Sequence, residues 1–122
     1  MPIWKGVPVV EEPDISLRDW RIMETEREER HFVGARVDDG IGRVSSAIVS
    51  FDAIRMTGIT SSGRVYRLVG PPGWTGDADY VWSAWRQINR VSSYADVTDG
   101  ALRGFSATAQ VPASDASKPV DS

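Results

Sequence analysis

The period of the apolar residues changes once along this chain, and that change constrains the fold more than any other feature. From residue 16 to 69, apolar side chains recur in short alternating runs broken by turn residues, the pattern of half-buried strands. From 78 to 91, Ala78, Val81, Trp82, Trp85 and Ile88 follow the spacing of one helical face. Strands come first and the helix after. The expected fold is α+β: a twisted antiparallel sheet of about five strands packed against one C-terminal amphipathic helix.

The first strand is expected over 16–24, with Trp20 and Ile22 on one face. The charged run 24–30 leads to a second strand at 31–38, where Val33, Ala35 and Val37 alternate inward. Asp39-Gly40 reads as a hairpin turn. A third strand covers 43–51, with Ala47, Val49 and Phe51 on one face. In a fourth, 54–60, Ile54 and Met56 share a face and Gly58 offers a bulge. The fifth covers 64–69. Residues 70–76, Gly-Pro-Pro-Gly-Trp-Thr-Gly, form a stiff loop. Asp77 reads as the helix N-cap and Asp79 complements the helix dipole. Trp82 and Trp85 are expected at the centre of the core.

The chain has 122 residues and a net charge of -3, which suits one domain. That domain is expected over 14–92. Residues 1–13 carry Pro2, Pro8 and Pro13 among Ile3, Trp4, Val7, Val9 and Val10, and read as an extended arm. Residues 93–122 read as a mostly disordered acidic tail, fully so over 107–122, where large apolar side chains are too few to offset ordering. Within it, 93–106 can dock through Tyr94, Val97, Leu102 and Phe105.

Residues 14–92 hold 11 arginines and 11 acids, so the acidic excess belongs to the two ends. A neutral middle sets up no long-range field for a polyanion and argues against a strongly cationic nucleic-acid binder. With no cysteine, disulfides, thiolate zinc sites and cysteine nucleophiles are excluded. No run approaches the roughly 18 apolar residues of a membrane span. The start, Met-Pro-Ile-Trp-Lys, lacks a signal-peptide core. A cytoplasmic protein with no membrane association is expected.

Catalytic groups are sparse. His31, the one histidine, has no nucleophile elbow to serve and reads as a partly exposed strand residue. Asp38-Asp39-Gly40 reads as a turn and Asp77-Ala78-Asp79 as a helix cap, and neither fits a calcium loop. Glu24, Glu26, Glu28 and Glu29 read as a solvated surface, interleaved with Arg27 and Arg30. The glycines at 70, 73 and 76 match neither phosphate-binding pattern. No catalytic residue, metal or cofactor is expected, and the chain reads as a non-enzyme.

Binding is better supported. Trp74, held in a Pro/Gly loop, reads either as a lid folded back on the helix and sheet or as an interaction hot spot. Trp4 on the arm and Arg86 and Arg90 on one helix face complete the candidate protein-binding set. Of 14 basic residues, 12 are arginine, which suits planar contacts. The alternative is a nucleic-acid module on an arginine-rich sheet or helix face, with Arg64, Tyr66 and Arg67 as contacts and Tyr66 stacking on a base. Against it, Arg64 and Arg67 point to opposite faces of one strand.

The segment Arg43-Val-Ser-Ser-Ala-Ile-Val-Ser-Phe-Asp52, followed by Ser62-Gly-Arg-Val-Tyr-Arg-Leu-Val-Gly-Pro-Pro-Gly73 and Tyr80-Val-Trp82, resembles small uncharacterised proteobacterial proteins of phages, plasmids and integrated elements. The resemblance covers residues 15–92 and carries over no residue role. It implies an accessory protein of a mobile element or bacterial genome. Some small acidic proteins of that kind bind and inhibit host defence systems.

Overall fold

A computed structural model describes residues 12–104 of the chain. Its organising element is a long strand, β1 (Asp14–Thr25), which serves two partners on one edge. The other edge is held by β2 (Arg30–Arg36), antiparallel, along both halves. The β1 register slips between Arg18 and Arg21, and Asp19 sits there at φ 48°. Aspartate tolerates that left-handed backbone better than most residues. A bulge of this kind inverts the alternation of side chains. Ile15 and Leu17 before it and Trp20 and Ile22 after it therefore face the same core.

Two further strands, β3 (Gly42–Val44) and β4 (Ile48–Asp52), follow β2 in the chain. They are joined by β5 (Thr57–Thr60), β6 (Val65–Val69) and, after a helix α1 (Gly76–Ile88), by β7 (Tyr94–Asp96). A second helix, α2 (Thr98–Gly104), follows. The sheet order is β3-β2-β1-β6-β5-β4, with β7 also on β1. Pairing is antiparallel except between β1 and β6, which run parallel from Asp14↔Val65 to Arg18↔Val69. β7 takes over that edge at Met23↔Asp96.

The sheet curls until its wings meet. Phe32 of β2 packs on Tyr66 of β6 at 5.6 Å and on Phe51 of β4 at 5.8 Å between ring centroids. Gly58 of β5 lies under the Phe32 ring, where a Cβ would overlap Cζ. Its pairing with Phe51 and Tyr66 is regular. Gly58 thus makes room for a ring rather than the bulge expected from sequence. This first core, with Ile15, Leu17, Trp20 and Ile22, is closed by Ala101 of α2. Thr98 ties that helix down: its hydroxyl accepts from Ile22 N–H at 2.9 Å and donates to Asp96 at 2.6 Å. A second core lies on the other face, where Ala78, Val81 and Trp82 of α1 cover Met23, Val33 and Val44.

The α+β class and the mostly antiparallel sheet match the sequence reading, with three corrections. Among the described residues seven strands replace five. The run 43–51 is two strands parted at 45–47, where the Ser45 hydroxyl accepts from Phe32 N–H, and residues 94–96 add β7. The amphipathic helix is not C-terminal, because α2 follows it. The main core is centred on Trp20, Phe32 and Tyr66, while Trp82 anchors the second core and Trp85 is half-buried. Val37, expected inward, is exposed, as are Val49, Ile54 and Ile88 from the expected apolar faces. Val49 falls where the β4 register slips between Ile48 and Ser50. Trp4, the arm over residues 1–11 and the tail from 105 onward lie outside the described residues.

Candidate functional site

The stiff loop before α1 is fastened to the bulge of β1. Trp20 donates its indole N–H to Gly70 O at 3.1 Å, and Gly73 N–H returns a bond to Trp20 O at 3.2 Å. Arg21 donates to Gly73 O at 3.3 Å. The next residue, Trp74, is 37% exposed, and its indole N–H donates to Asp79 at 3.2 Å. Thr75, not Asp77, caps the helix, its hydroxyl accepting from Ala78 N–H at 3.0 Å. Asp77 instead reaches out of the helix and accepts from Gly42 N–H at 2.6 Å. β3 presses so closely on α1 that a Cβ on Gly42 would lie 2.5 Å from Asp77 O.

These bonds bring three separate stretches to one end of the domain: the bulge, the β2–β3 turn and the start of α1. Several large apolar residues are exposed here. Ile41, just before Gly42, is 56% exposed and Tyr80 on α1 is 66% exposed. Val37, just past β2, and Val69, at the end of β6, are exposed on either side of β1. Charge gathers at the same end. Arg36 binds Glu12 through two bonds and also pairs with Asp38 at 3.1 Å and Asp39 at 3.6 Å. Its guanidinium holds the Asp38 and Glu12 carboxyls below the usual carboxylate range, and they in turn raise its own pKa. A shallow cleft of about 230 Å³ beside it is lined by Glu12, Asp14, Ser16, Arg36 and Val37.

The residues singled out from sequence do not form one site. Arg86 lies near the far end of α1 from Trp74, roughly 18 Å away along the axis at about 1.5 Å per residue. There it stacks over Tyr94 at 4.6 Å and lies 5.9 Å from the Trp82 ring centre. Arg90 is exposed just beyond the helix, at φ 56°. The nucleic-acid set also separates. Tyr66 is 1% exposed and accepts from Arg43 at 2.9 Å through its hydroxyl. That corrects its reading as a stacking platform: the curl of the sheet closes the ring under Phe32. Arg64 is buried too, with Nε donating to Glu12 O at 2.9 Å. Arg67 is exposed and paired with Asp14 at 3.5 Å. Sequence reasoning missed Ile41 and Tyr80. Tyr80 carried a signal, as an aromatic residue off the apolar stripe of α1.

His31 is also corrected. It is buried, not partly exposed: 3% of its surface is accessible, and its ring packs on Trp85 at 4.5 Å. Its Nδ1 bonds to Ser45 O at 2.9 Å. A carbonyl only accepts, so Nδ1 carries the proton. Nε2 finds no partner among the described residues, nor do the Trp82 indole N–H and Arg86 Nε. Burial pushes the imidazole below its ordinary value of 6.5, outweighing the Ser45 carbonyl and Glu29, which favour the charged form. As pH falls, the unfolded chain takes up this proton first. Stability is therefore full above about pH 6.5 and is lost as pH drops from there toward the folded-state pKa. The slope for one proton approaches roughly 1.4 kcal/mol per pH unit. Denaturation midpoints between pH 7 and 5 check this. His31→Phe, which removes the only histidine, should flatten the profile, and an unchanged slope would refute the assignment.

Among the described residues no group of three or more His, Cys, Asp or Glu gathers to hold a metal. No helix there is long and apolar enough to cross a membrane. Compared with known proteins, the chain matches no family model, no curated protein and no solved structure.

Proposed function

We propose that this chain is a non-enzymatic module that acts by binding another protein, and that the contact is made by the end of the domain carrying Trp74. One observation supports this reading above the rest: Trp74, Tyr80 and Ile41 are exposed around a helix start that backbone and side-chain hydrogen bonds hold in place. Aromatic residues on rigid backbone give large contact area at little ordering cost, the character of interface hot spots. Arg86 and Arg90 lie apart from this surface and play no part in the reading. The resemblance to small proteins of phages and plasmids supports an accessory role, with a host protein as the partner.

The test is affinity capture from the source organism with wild type and Trp74→Ala. The variant should lose its partner, by roughly 30-fold or more in affinity for a true hot spot, while its melting curve stays close to wild type. Identical capture by both proteins, or capture by neither, would overturn the role of Trp74.

A further inference from the structure

We infer that the partner meets this surface with a basic segment, in which lysine or arginine is interspersed with aliphatic side chains. The inference rests on the protein-binding reading above and adds the chemistry of the partner. At this end Asp19, Asp38, Asp39, Asp77 and Asp79 stand against Arg18 and Arg36, while Glu12 is shared by Arg36, Arg43 and Arg64. Arg18 is engaged by Asp19 at 2.7 Å. Arg36 is shared among Glu12, Asp38 and Asp39. Among the described residues Asp77 and Asp79 meet only N–H donors, the Gly42 backbone and the Trp74 indole. Arg21 of β1, which donates to the loop, is matched by Asp96 at 3.3 Å.

The start of α1 contributes only about half a positive charge, well short of this surplus of carboxylates. Residues 14–92 are neutral as a sequence, so folding has set Asp77 and Asp79, which meet no cation among the described residues, beside the exposed Trp74 and Tyr80. Such a rim repels nucleic acid and anionic lipid, and it draws in and orients a cationic partner. The faces of Trp74 and Tyr80 suit a guanidinium or ammonium by cation–π attraction, and Ile41, Val37 and Val69 suit its aliphatic neighbours. The attraction is screened by salt over about 8 Å at physiological ionic strength.

The experiment titrates the ¹⁵N-labelled full chain with two synthetic peptides of equal length, one alternating Arg and Leu, the other Glu and Leu. The Arg–Leu peptide should shift the Trp74 indole and the Ile41 and Tyr80 amides, and bind at least ten-fold tighter at low salt. The double variant Asp39→Asn, Asp79→Asn keeps side-chain oxygens for Ile41 N–H and Trp74 Nε1–H. It should bind the Arg–Leu peptide roughly ten-fold more weakly. Equal binding of the two peptides, no binding of either, or shifts confined to other parts of the domain would overturn the inference. If Trp4→Ala alone moves the Trp74 indole signal, the occupant is the chain's own arm and the inference also falls. If Trp74→Ala abolishes partner capture yet the Arg–Leu peptide is not preferred, the protein-binding reading stands and the basic chemistry fails.

Discussion

Trp20→Ala should remove a large share of the chain's folding stability and lower its urea midpoint steeply. The side chain is fully buried at the bulge of β1, in the first core with Ile22, Phe32 and Leu68. Truncating a buried tryptophan costs about 3–5 kcal/mol, a large share of the roughly 5–15 kcal/mol that holds a domain together. The indole N–H also fastens the loop that carries Trp74, through Gly70 O. Trp20→Phe should keep most of the packing but lose that bond, costing about 1 kcal/mol beyond the volume change. Urea melts followed by circular dichroism report both. A Trp20→Ala midpoint within experimental error of wild type would contradict the placement of the core.

Trp82→Ala should be the second most damaging change, at about 3 kcal/mol, the low end of the same range. Its ring is 1% exposed, stacks on Trp85 at 5.4 Å and meets Tyr94 edge-on at 5.3 Å. Unlike Trp20, its indole N–H is buried without a partner among the described residues. Truncation therefore also removes an unsatisfied donor, which offsets part of the lost packing. Trp82→Phe should accordingly lie much closer to wild type than Trp20→Phe. The reverse ranking of the two phenylalanine variants in the same melts would refute the difference drawn between the two indoles.

The sequence revealed those parts of the fold whose signal is local. The helical face of Ala78, Val81 and Trp82 was legible because all three repeat within one element. The bulge left a trace as well. Ile15 and Leu17 occupy odd positions and Trp20 and Ile22 even ones, so the change of parity falls at Asp19. The parallel pairing of β1 with β6 left none, because nothing local in Asp14 or Val65 specifies a partner so distant in the chain. β7 is three exposed residues with no alternation to read. Trp74 stood out through the stiffness of its loop. Ile41 did not, because the bond joining Gly42 to Asp77 spans 35 positions. The acidic rim was hidden for a similar reason: charges balanced along the chain are separated only once it folds.

The two-partner edge of β1 also bears on synthesis. β1 leaves the ribosome before its partners, so half of one edge must wait for β6 and the other half for β7 and the Thr98 hydroxyl. At about 5–20 residues per second, several seconds separate Thr25 from Tyr94. During that interval Met23, Glu24 and Thr25 present unpaired backbone on that edge, the usual template for mispairing with another chain. A chain arrested before residue 94 would keep that edge open, so the last short strand sets the moment at which the nascent protein becomes safe from its neighbours.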